Sequence, residues 1–340
     1  MKKTVIALCL LVGAAGFCIN WHHNKVQQTV SNDVIKWVDF TVTAEAMQCA
    51  ADWQIQNREL DWISLLAGVA TKYGGDFHQY KQADLDQVAQ KALEGVTPRE
   101  QTGELAKYYD YYYEAYTAVL QEFLGEYTLE NEAGEKEEHF GIKAFCPIAK
   151  GYDFSHYDDF GTGRNYGFAR KHLGHDLLGN IGTPIVAVES GVVEAIGWNQ
   201  YGGWRIGIRS FDQKRYYYYA HLRKNHPYHY QLKEGDVVAA GEVIGYLGMT
   251  GYSSKENVNN INVPHLHWGL QLIFDESQKD AVSEIWIDCY QITKFLSQNR
   301  SAVYQDPGSL DYFRKIPFDE PLLEGKEIKN KKDVLIINDK

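Results

Sequence analysis

Histidine is the residue type whose spacing in this chain best suits chemistry. Seven of the twelve histidines fall between His172 and His267, and they form two patterns: HLGHD from His172 to Asp176, and HLH from His265 to His267. The second pattern begins a β-rich run, and residues two apart on a strand share a face, so His265 and His267 can be directed at one site. A catalytic zinc ion takes three nitrogen or oxygen ligands from the protein and leaves a fourth position for water, which two histidines and a carboxylate satisfy without cysteine. The pKa of that water falls from about 15.7 to roughly 7, which makes it a nucleophile at neutral pH.

HLGHD or HLH alone is weak evidence for a metal site, but a third histidine motif accompanies them. His226 and His229 show how little an isolated histidine means, because they flank a Pro-Tyr pair in a predicted loop with no carboxylate nearby in sequence. His221 differs, since it lies in the motif YAHL at the end of an aromatic run. The glycine-rich stretch GYLGMTG, residues 245–251, then separates YAHL from HLH. The order of these motifs carries more information than any one of them.

In that order, the motifs resemble the lysostaphin-like zinc peptidases of family M23, which are cell-wall endopeptidases. The resemblance covers residues 165–273, which is under half of the chain. It implies that one zinc ion is held by His172, Asp176 and His267, and that His221 and His265 are the catalytic histidines beside the water. It also implies that the substrate is the peptide portion of peptidoglycan.

The roles of the two catalytic histidines follow from the implied reaction. Peptide hydrolysis needs a group that takes the proton of water, a group that stabilises the oxyanion and an acid for the leaving amine. We expect His265 to be the general base and His221 to polarise the carbonyl or hold the tetrahedral intermediate. An exchange of these two roles stays open at this point.

The chain departs from the family pattern at two places. Residues 252–264, YSSKENVNNINVP, are longer and richer in asparagine than the usual loop before HLH, so we expect them to reshape one wall of the groove. After HLH the family commonly has Phe-Glu, whereas this chain has Trp268 and Gly269. Neither departure removes any of the five site residues.

The elements that must position these residues are short strands. From Thr183 onward come β-rich runs of two to nine residues, with Gly, Pro or Asp between most of them, which is typical of an all-β sandwich or small barrel. Residues 34–127 instead carry apolar residues at helical spacing, and the charged, glycine-interrupted stretch 130–138 is predicted to be a linker or loop. The predicted fold class is therefore α+β, with an antiparallel β-sheet or sandwich peptidase domain preceded by a helical N-terminal region.

The sequence predicts that the chain is divided into four segments. Residues 1–24 are predicted to be a signal peptide or membrane anchor, because Lys2 and Lys3 precede the uncharged apolar run 4–21. Residues 25–145 form the helical accessory region, residues 146–298 the zinc peptidase domain and residues 299–340 a C-terminal tail. We therefore expect an exported protein of the cell envelope, either on the outer face of the cytoplasmic membrane or secreted, with residues 4–21 as its attachment if they are retained.

Charge and cysteine content narrow the remaining classes of function. A formal net charge of -11 argues against nucleic acid as a partner, because neutralising phosphates needs clustered Lys and Arg. The five cysteines include no CxxC pair, so cysteine ligation of a metal is not expected. Cys49, Cys146 and Cys289 lie outside the apolar run, and either one disulfide among them or three separate buried thiols is compatible with the sequence. The oligomeric state is left open.

Three other interpretations compete with an active peptidase. Residues 233–245 look like the half-motif of biotinyl and lipoyl domains, but no modifiable lysine stands in a matching context. A non-catalytic envelope protein that binds wall peptide or activates a partner hydrolase would retain the same fold, although the complete ligand set argues against it. The helical region could also act as a regulator that covers the groove.

Overall fold

A computed structural model describes residues 35–131, 133–165, 169–229, 232–279 and 283–328 of the chain. The described residues contain helices mainly before residue 121 and strands mainly after it, so the predicted α+β class is confirmed. The predicted signal peptide or anchor, residues 1–24, lies outside the described residues. None of the helices within the described ranges has the length and apolar character needed to cross a bilayer.

The helical part begins with capped helices whose ends are encoded locally. The side chain of Thr43 accepts a hydrogen bond from the backbone N–H of Ala46, and Asp61 does the same for Ile63, so both cap helix N-termini. Gly74 ends the second helix in the left-handed conformation with φ of 62°, as the Tyr-Gly-Gly sequence predicts. The helices are α1 (Ala44–Gln56), α2 (Trp62–Tyr73), α3 (Gln82–Leu93), α4 (Pro98–Gln101), α5 (Ala106–Leu120) and α6 (Tyr290–Leu296). Short 3₁₀ segments lie at Phe77–Gln79, Gly103–Leu105, Gln121–Phe123, Glu276–Gln278 and Pro321–Leu323.

The strands form one large sheet and several small ones. They are β1 (Leu124–Glu130), β2 (Lys136–Ile142), β3 (Ser155–His156), β4 (Gly163–Asn165), β5 (Ala169–Lys171), β6 (His175–Leu178), β7 (Pro184–Val186), β8 (Gly191–Asn199), β9 (Gly203–Ser210), β10 (Arg215–Ala220), β11 (Val237–Val238), β12 (Val243–Tyr246), β13 (His265–Leu272), β14 (Ile285–Ile287), β15 (Val303–Gln305), β16 (Tyr312–Arg314) and β17 (Phe318–Asp319). The large sheet has the order β11-β8-β9-β10-β13-β6-β3, and β14 pairs with the second half of β13. All of these strand pairs are antiparallel, as predicted.

The register of the three central strands brings the motifs together. His267 on β13 lies opposite Ala220 on β10 and opposite Asp176 on β6. Because alternate residues share a face, His265 and His267 project from one face of β13, while Leu266 and Trp268 project into the core with no exposed surface. HLH therefore alternates between the site and the core, which is the pattern of a half-buried strand.

The helical region and the peptidase region share one hydrophobic core. Leu65 and Tyr116 of the helices belong to the same buried cluster as Ile208 and Trp268 of the large sheet. Trp62 on α2 stacks on Phe295 of α6 with ring centroids 6.0 Å apart. The helices are thus packed against the sheet as part of one folded unit.

A buried ionic contact joins the end of the helical region to the C-terminal segment. The ammonium group of Lys143, beside β2, lies 2.7 Å from a carboxylate oxygen of Glu122 and 2.5 Å from one of Glu320. Glu320 also accepts a hydrogen bond from the hydroxyl of Ser190. Removing Lys143 would leave two carboxylates in a nearly dry environment, so this contact fixes how the C-terminal segment sits on the sheet.

Three segments differ from what their composition predicts. Residues 124–127 were predicted to be helical but form the start of β1, because they pair with β2 as a hairpin. In the stretch 130–138, predicted to be a linker or loop, Glu130 ends β1, residues 133–135 lie in the turn of that hairpin and residues 136–138 begin β2, so the stretch is a hairpin turn with its strand ends rather than a linker. The predicted tail from residue 299 carries β15, β16 and β17, and β17 pairs with β1. The domain boundaries themselves remain a prediction.

Candidate metal centre and its surroundings

Three side chains from the two histidine patterns converge on one point. His172 Nε2 lies 3.1 Å from Asp176 Oδ1 and 3.1 Å from His267 Nδ1, and His267 Nδ1 lies 2.9 Å from Asp176 Oδ1. These are the residues that sequence comparison with the family predicted as ligands. Within the described part of the chain, they are the group of His, Cys, Asp or Glu residues that could hold a metal ion.

The donor set fits zinc. Two imidazole nitrogens and one carboxylate oxygen are a common catalytic zinc set, and donors about 2.1 Å from a tetrahedral ion lie about 3.4 Å from one another. The three separations found here are slightly shorter, so an ion can enter with small outward movements of the side chains. Three protein donors also leave a fourth position for water.

Backbone pairing fixes each of the three donors. Asp176 and His267 are cross-strand neighbours in the register of β6 and β13. His172 follows β5, where its N–H donates to the carbonyl of Thr162 at 2.9 Å and its carbonyl accepts from the N–H of Gly161 at 2.8 Å. Only 5% of the surface of His172 is exposed, so its ring has little freedom to turn toward water.

Gly174, in the middle of HLGHD, is required by the close approach of β13. A Cβ at this position would lie 2.4 Å from His267 Nε2 and 3.0 Å from the carbonyl oxygen of Trp268. Position 174, between His172 and Asp176, must therefore be glycine for the ring of His267 to reach the site.

We expect Gly174→Ala to weaken zinc binding at least about tenfold, because the added methyl group must displace the ring of His267. Zinc titration against a chromophoric chelator measures this. Gly163→Ala is the matched control, since a Cβ at Gly163 meets no atom within 4 Å. Equal zinc affinity of the two variants would contradict the packing argument.

His221 and His265 lie beside the three donors without joining them. The ring centroid of His221 is 4.8 Å from that of His265 and 5.9 Å from that of His267. His265 Nε2 lies 3.7 Å from Asp176 Oδ1. The structure thus brings all five predicted site residues into one cluster.

Backbone carbonyls orient both of these rings. His221 Nδ1 lies 2.8 Å from the carbonyl oxygen of Thr250, and His265 Nδ1 lies 2.8 Å from that of Val263. A carbonyl oxygen only accepts, so Nδ1 carries the proton in both residues and Nε2 presents a lone pair. His221 is held in the left-handed region with φ of 61° while its N–H donates to the carbonyl of Gly202 at 2.7 Å.

Burial and neighbouring charge set the protonation of the cluster. Burial, with the nearby His265 and His267, lowers the pKa of His221 well below its ordinary value. Burial also lowers the pKa of His267, against the opposing effect of Asp176. For Asp176, burial opposes ionisation, but the hydrogen bonds with His172 and His267 outweigh it and hold the pKa far below the usual range. At neutral pH the site therefore combines an ionised carboxylate with neutral imidazoles at His221 and His267, the state that binds a cation.

Comparison with known proteins finds a family model over the segment that carries this cluster. Residues 170–281 match the family model described as Peptidase family M23. The chain carries an M23 peptidase domain. That segment contains all five clustered residues, and it begins two residues before His172.

Two characterised relatives share the M23 domain with this chain. An L-Ala–D-Glu endopeptidase of Bacillus subtilis (strain 168) is 38% identical over 130 residues, which is 38% of this chain and 38% of that protein. Lysostaphin of Staphylococcus simulans is 40% identical over 120 residues, which is 35% of this chain and 20% of lysostaphin. The chain thus matches about two fifths of the first relative and a fifth of the second.

A solved structure resembles a larger part of the chain. The crystal structure of a LytM protein from Ruminococcus gnavus ATCC 29149 superposes with a TM-score of 0.52 at 23% identity. The match covers 81% of this chain and 95% of the other. The common fold therefore extends beyond the M23 domain.

The asparagine-rich loop of the M23 domain forms one wall of a cavity at the site. The cavity has a volume of about 360 Å³, and it is lined by Tyr157, Asp159, Arg164, Asp176, Leu178, Tyr252, residues 260–263 and His265. Asn257 explains part of the unusual composition: it has φ of 60°, and its side-chain oxygen accepts from the indole N–H of Trp204 at 2.9 Å. The side-chain amide of Asn260 donates to the carbonyl of Tyr252 at 2.7 Å. These side-chain hydrogen bonds of Asn257 and Asn260 hold the loop in its conformation.

The packing around Trp268 and Gly269 explains why glycine follows the tryptophan after HLH. A Cβ on Gly269 would lie 2.8 Å from a ring carbon of Trp286 on β14, so glycine lets the indole cover this part of the sheet. Trp286 in turn contacts Tyr218 edge-on, with ring centroids 6.2 Å apart, and Tyr218 is 6.1 Å from His267. Trp286 lies beyond the residues matched by the family model. Two aromatic rings, those of Trp286 and Tyr218, thus connect Gly269 to His267 by contact.

The remaining histidines near the M23 motifs serve other contacts. His175 of HLGHD points to the opposite face of β6, where its Nε2 lies 2.8 Å from His156 Nδ1 and burial lowers its pKa to about 3. His226 Nε2 lies 2.8 Å from Asp311 Oδ1, and His229 packs edge-on against Phe313. The sequence prediction that His226 and His229 are not site residues agrees with these positions, although His226 does have a carboxylate partner, 85 residues away.

Two polar residues of the site could not be identified by motif. Asp159 and Arg164 contact His172 and Asp176, but they precede the matched segment and lie in no recognised pattern. Their only sequence signal is position, shortly before HLGHD. Cys49, Cys146 and Cys289 are free thiols, so no disulfide forms among these three described cysteines.

Proposed function

We propose that this protein is a zinc-dependent endopeptidase that hydrolyses peptide bonds in peptidoglycan. The observation that carries the proposal is the convergence of His172 Nε2, Asp176 Oδ1 and His267 Nδ1, with two further histidines presenting Nε2 beside them. An idle envelope protein would have no need to keep both the three donors and the two oriented imidazoles.

The proposed ion is one Zn²⁺ held by His172, Asp176 and His267. When bound, zinc lowers the pKa of a water from about 15.7 to roughly 7 and stabilises negative charge as a Lewis acid. The protein contributes the positions of the donors and the protonation states that permit binding.

His265 is the proposed general base. Its Nδ1–H donates to Val263, which leaves Nε2 free to accept a proton, and that nitrogen faces the donor cluster 3.7 Å from Asp176 Oδ1. The exposed edge of His265 lines the cavity described above, so the ring is accessible from the side on which a peptide would lie.

His221 is proposed to act on the other side of the reacting carbonyl. In its neutral form it has the proton on Nδ1, so Nε2 can accept a proton but cannot donate one. It can stabilise an oxyanion or protonate the leaving amine only after it has gained a second proton, and that proton is the one that His265 takes from the water, since the two ring centroids lie 4.8 Å apart. This favours a role for His221 later in the reaction than that of His265.

The substrate class comes from the relatives. One is named for cleavage between L-Ala and D-Glu, and the other is lysostaphin. Extended to this chain, these names support peptide bonds of the cell wall as the substrate and an exported location, either secreted or attached through residues 4–21. The wall formed by the loop 252–264 differs from the family pattern, so the choice of bond is left for experiment.

Digestion of purified cell walls tests the proposal. We expect release of peptide fragments, identifiable by mass, by protein that contains one zinc per chain. Chelation should stop the release and zinc should restore it. Protein that binds walls but holds no zinc and releases no fragments would instead support the non-catalytic alternative.

A further inference from the structure

We propose that Asp159 and Arg164 form an outer clamp on the metal site, in which Asp159 fixes the tautomer of His172 and Arg164 restricts Asp176 to one ligand oxygen. Both are positioning residues, since they act through the proposed ligands. The inference rests on the proposed zinc site and concerns two residues that lie ahead of the matched M23 segment.

The first half of the clamp concerns the proton of His172. His172 Nδ1 lies 3.1 Å from Asp159 Oδ1. His172 Nε2 also lies 3.1 Å from a carboxylate oxygen, that of Asp176 Oδ1, so both nitrogens of the ring face a carboxylate. A cation held at the three donors takes the lone pair of Nε2, and the single proton of the neutral ring then stands on Nδ1, where Asp159 Oδ1 accepts it.

The second half concerns the two oxygens of Asp176. Oδ1 lies 2.9 Å from His267 Nδ1 and 3.1 Å from His172 Nε2, whereas Oδ2 lies 3.1 Å from Arg164 Nη2. The same Nη2 contacts Asp159 Oδ2. Its two N–H groups are thus both directed at carboxylates, and Arg164 Nη2, although 3.2 Å from His172 Nδ1, has no proton left for the imidazole. Asp176 keeps one oxygen for the ion and one for Arg164.

The backbone shows that this arrangement is built into the fold. The carbonyl of Asp159 accepts from the N–H of Thr162 at 3.2 Å and from its hydroxyl at 2.7 Å. The carbonyl of Thr162 in turn accepts from the N–H of His172 at 2.9 Å. The loop that carries Asp159 is therefore tied directly to the residue it orients, and Arg164 is on β4 of the adjoining hairpin.

The clamp also balances charge. Asp159 and Asp176 supply two negative charges, and Arg164 supplies one positive charge between them. The cluster keeps a net charge of about -1 before a divalent cation enters, which favours the cation without leaving an unpaired carboxylate.

Zinc affinity of three variants tests the clamp, with cobalt absorption spectra as a second readout of ligand geometry. Outer-sphere partners of this kind change metal affinity about 10–100-fold. We expect Asp159→Ala to raise the zinc Kd by about that factor and Asp159→Asn to raise it by a smaller factor, because the amide oxygen can still accept from Nδ1 but cannot pair with Arg164. Arg164→Gln should alter the cobalt spectrum, since Asp176 is then free to bind through both oxygens.

Asp158→Asn is the matched control. Asp158 is the neighbouring carboxylate and lines a different cavity. The zinc Kd of the Asp158→Asn protein should therefore stay within about twofold of the wild-type value. Asp159→Asn preserves shape and is informative even if Asp159→Ala does not fold. Wild-type Kd and an unchanged cobalt spectrum in Asp159→Asn and Arg164→Gln would overturn the clamp, whereas absence of zinc binding in the wild type would overturn the proposed function instead.

Discussion

Replacing His265 with alanine is expected to leave zinc bound and to lower the rate of wall hydrolysis by about 10²–10⁴, the usual contribution of a positioned acid or base. The physical reason is that His265 Nε2 stands beside the donors, 3.7 Å from Asp176 Oδ1, but is not one of the three atoms that converge. Removing it takes away a proton acceptor and leaves the donor set complete.

Zinc content and the rate of fragment release, measured on the same preparation, check this result. His78→Ala is a suitable control, because the side chain of His78 is 89% exposed and contacts Asp76 in the helical region. Retained hydrolysis in His265→Ala would refute the role of His265 as base. Loss of zinc would instead make His265 a ligand.

Asp176→Ala is expected to abolish both zinc binding and hydrolysis. Asp176 is the only carboxylate among the three converging donors, and two imidazoles alone hold zinc much more weakly. The expected loss of rate exceeds about 10⁴, since the metal and its activated water are removed together.

Elemental analysis and wall digestion measure these two effects. Chelated wild-type protein should reproduce the variant, and added zinc should restore the wild type but not Asp176→Ala. A variant that retains stoichiometric zinc and measurable hydrolysis would show that the ion binds elsewhere. The Asp176→Ala protein should stay folded, because the shared core of helices and sheet does not involve this side chain.

The identities of the five clustered residues were available from the sequence. HLGHD, YAHL and HLH are local motifs, and the two-residue period of a strand places His265 and His267 on the same face without knowledge of the rest of the chain. Short strands separated by Gly, Pro or Asp were predicted from Thr183 onward for the same local reason, and β10 (Arg215–Ala220) is one of those that the structure shows. The α+β class followed from the change of periodicity near residue 130.

The surroundings of these residues were decided by contacts between distant segments. Residues 124–127 carry a helix-compatible composition, and pairing with residues 139–142 makes them a strand. The glycine after HLH is explained by Trp286, which reaches it from an edge strand that pairs with β13. No local pattern contains such information, because strand pairing depends on partners that can lie anywhere in the chain.

The sequence by itself thus indicated which residues could bind a metal and move protons in this protein. The tertiary structure decided which nitrogen of His221, His265 and His172 faces the site, because it places the carbonyls of Thr250 and Val263 and the carboxylate of Asp159 beside the other nitrogen. The physical reason is that a motif fixes the position of a side chain along its strand, whereas the orientation of a ring depends on the hydrogen-bond partner that the fold brings to it.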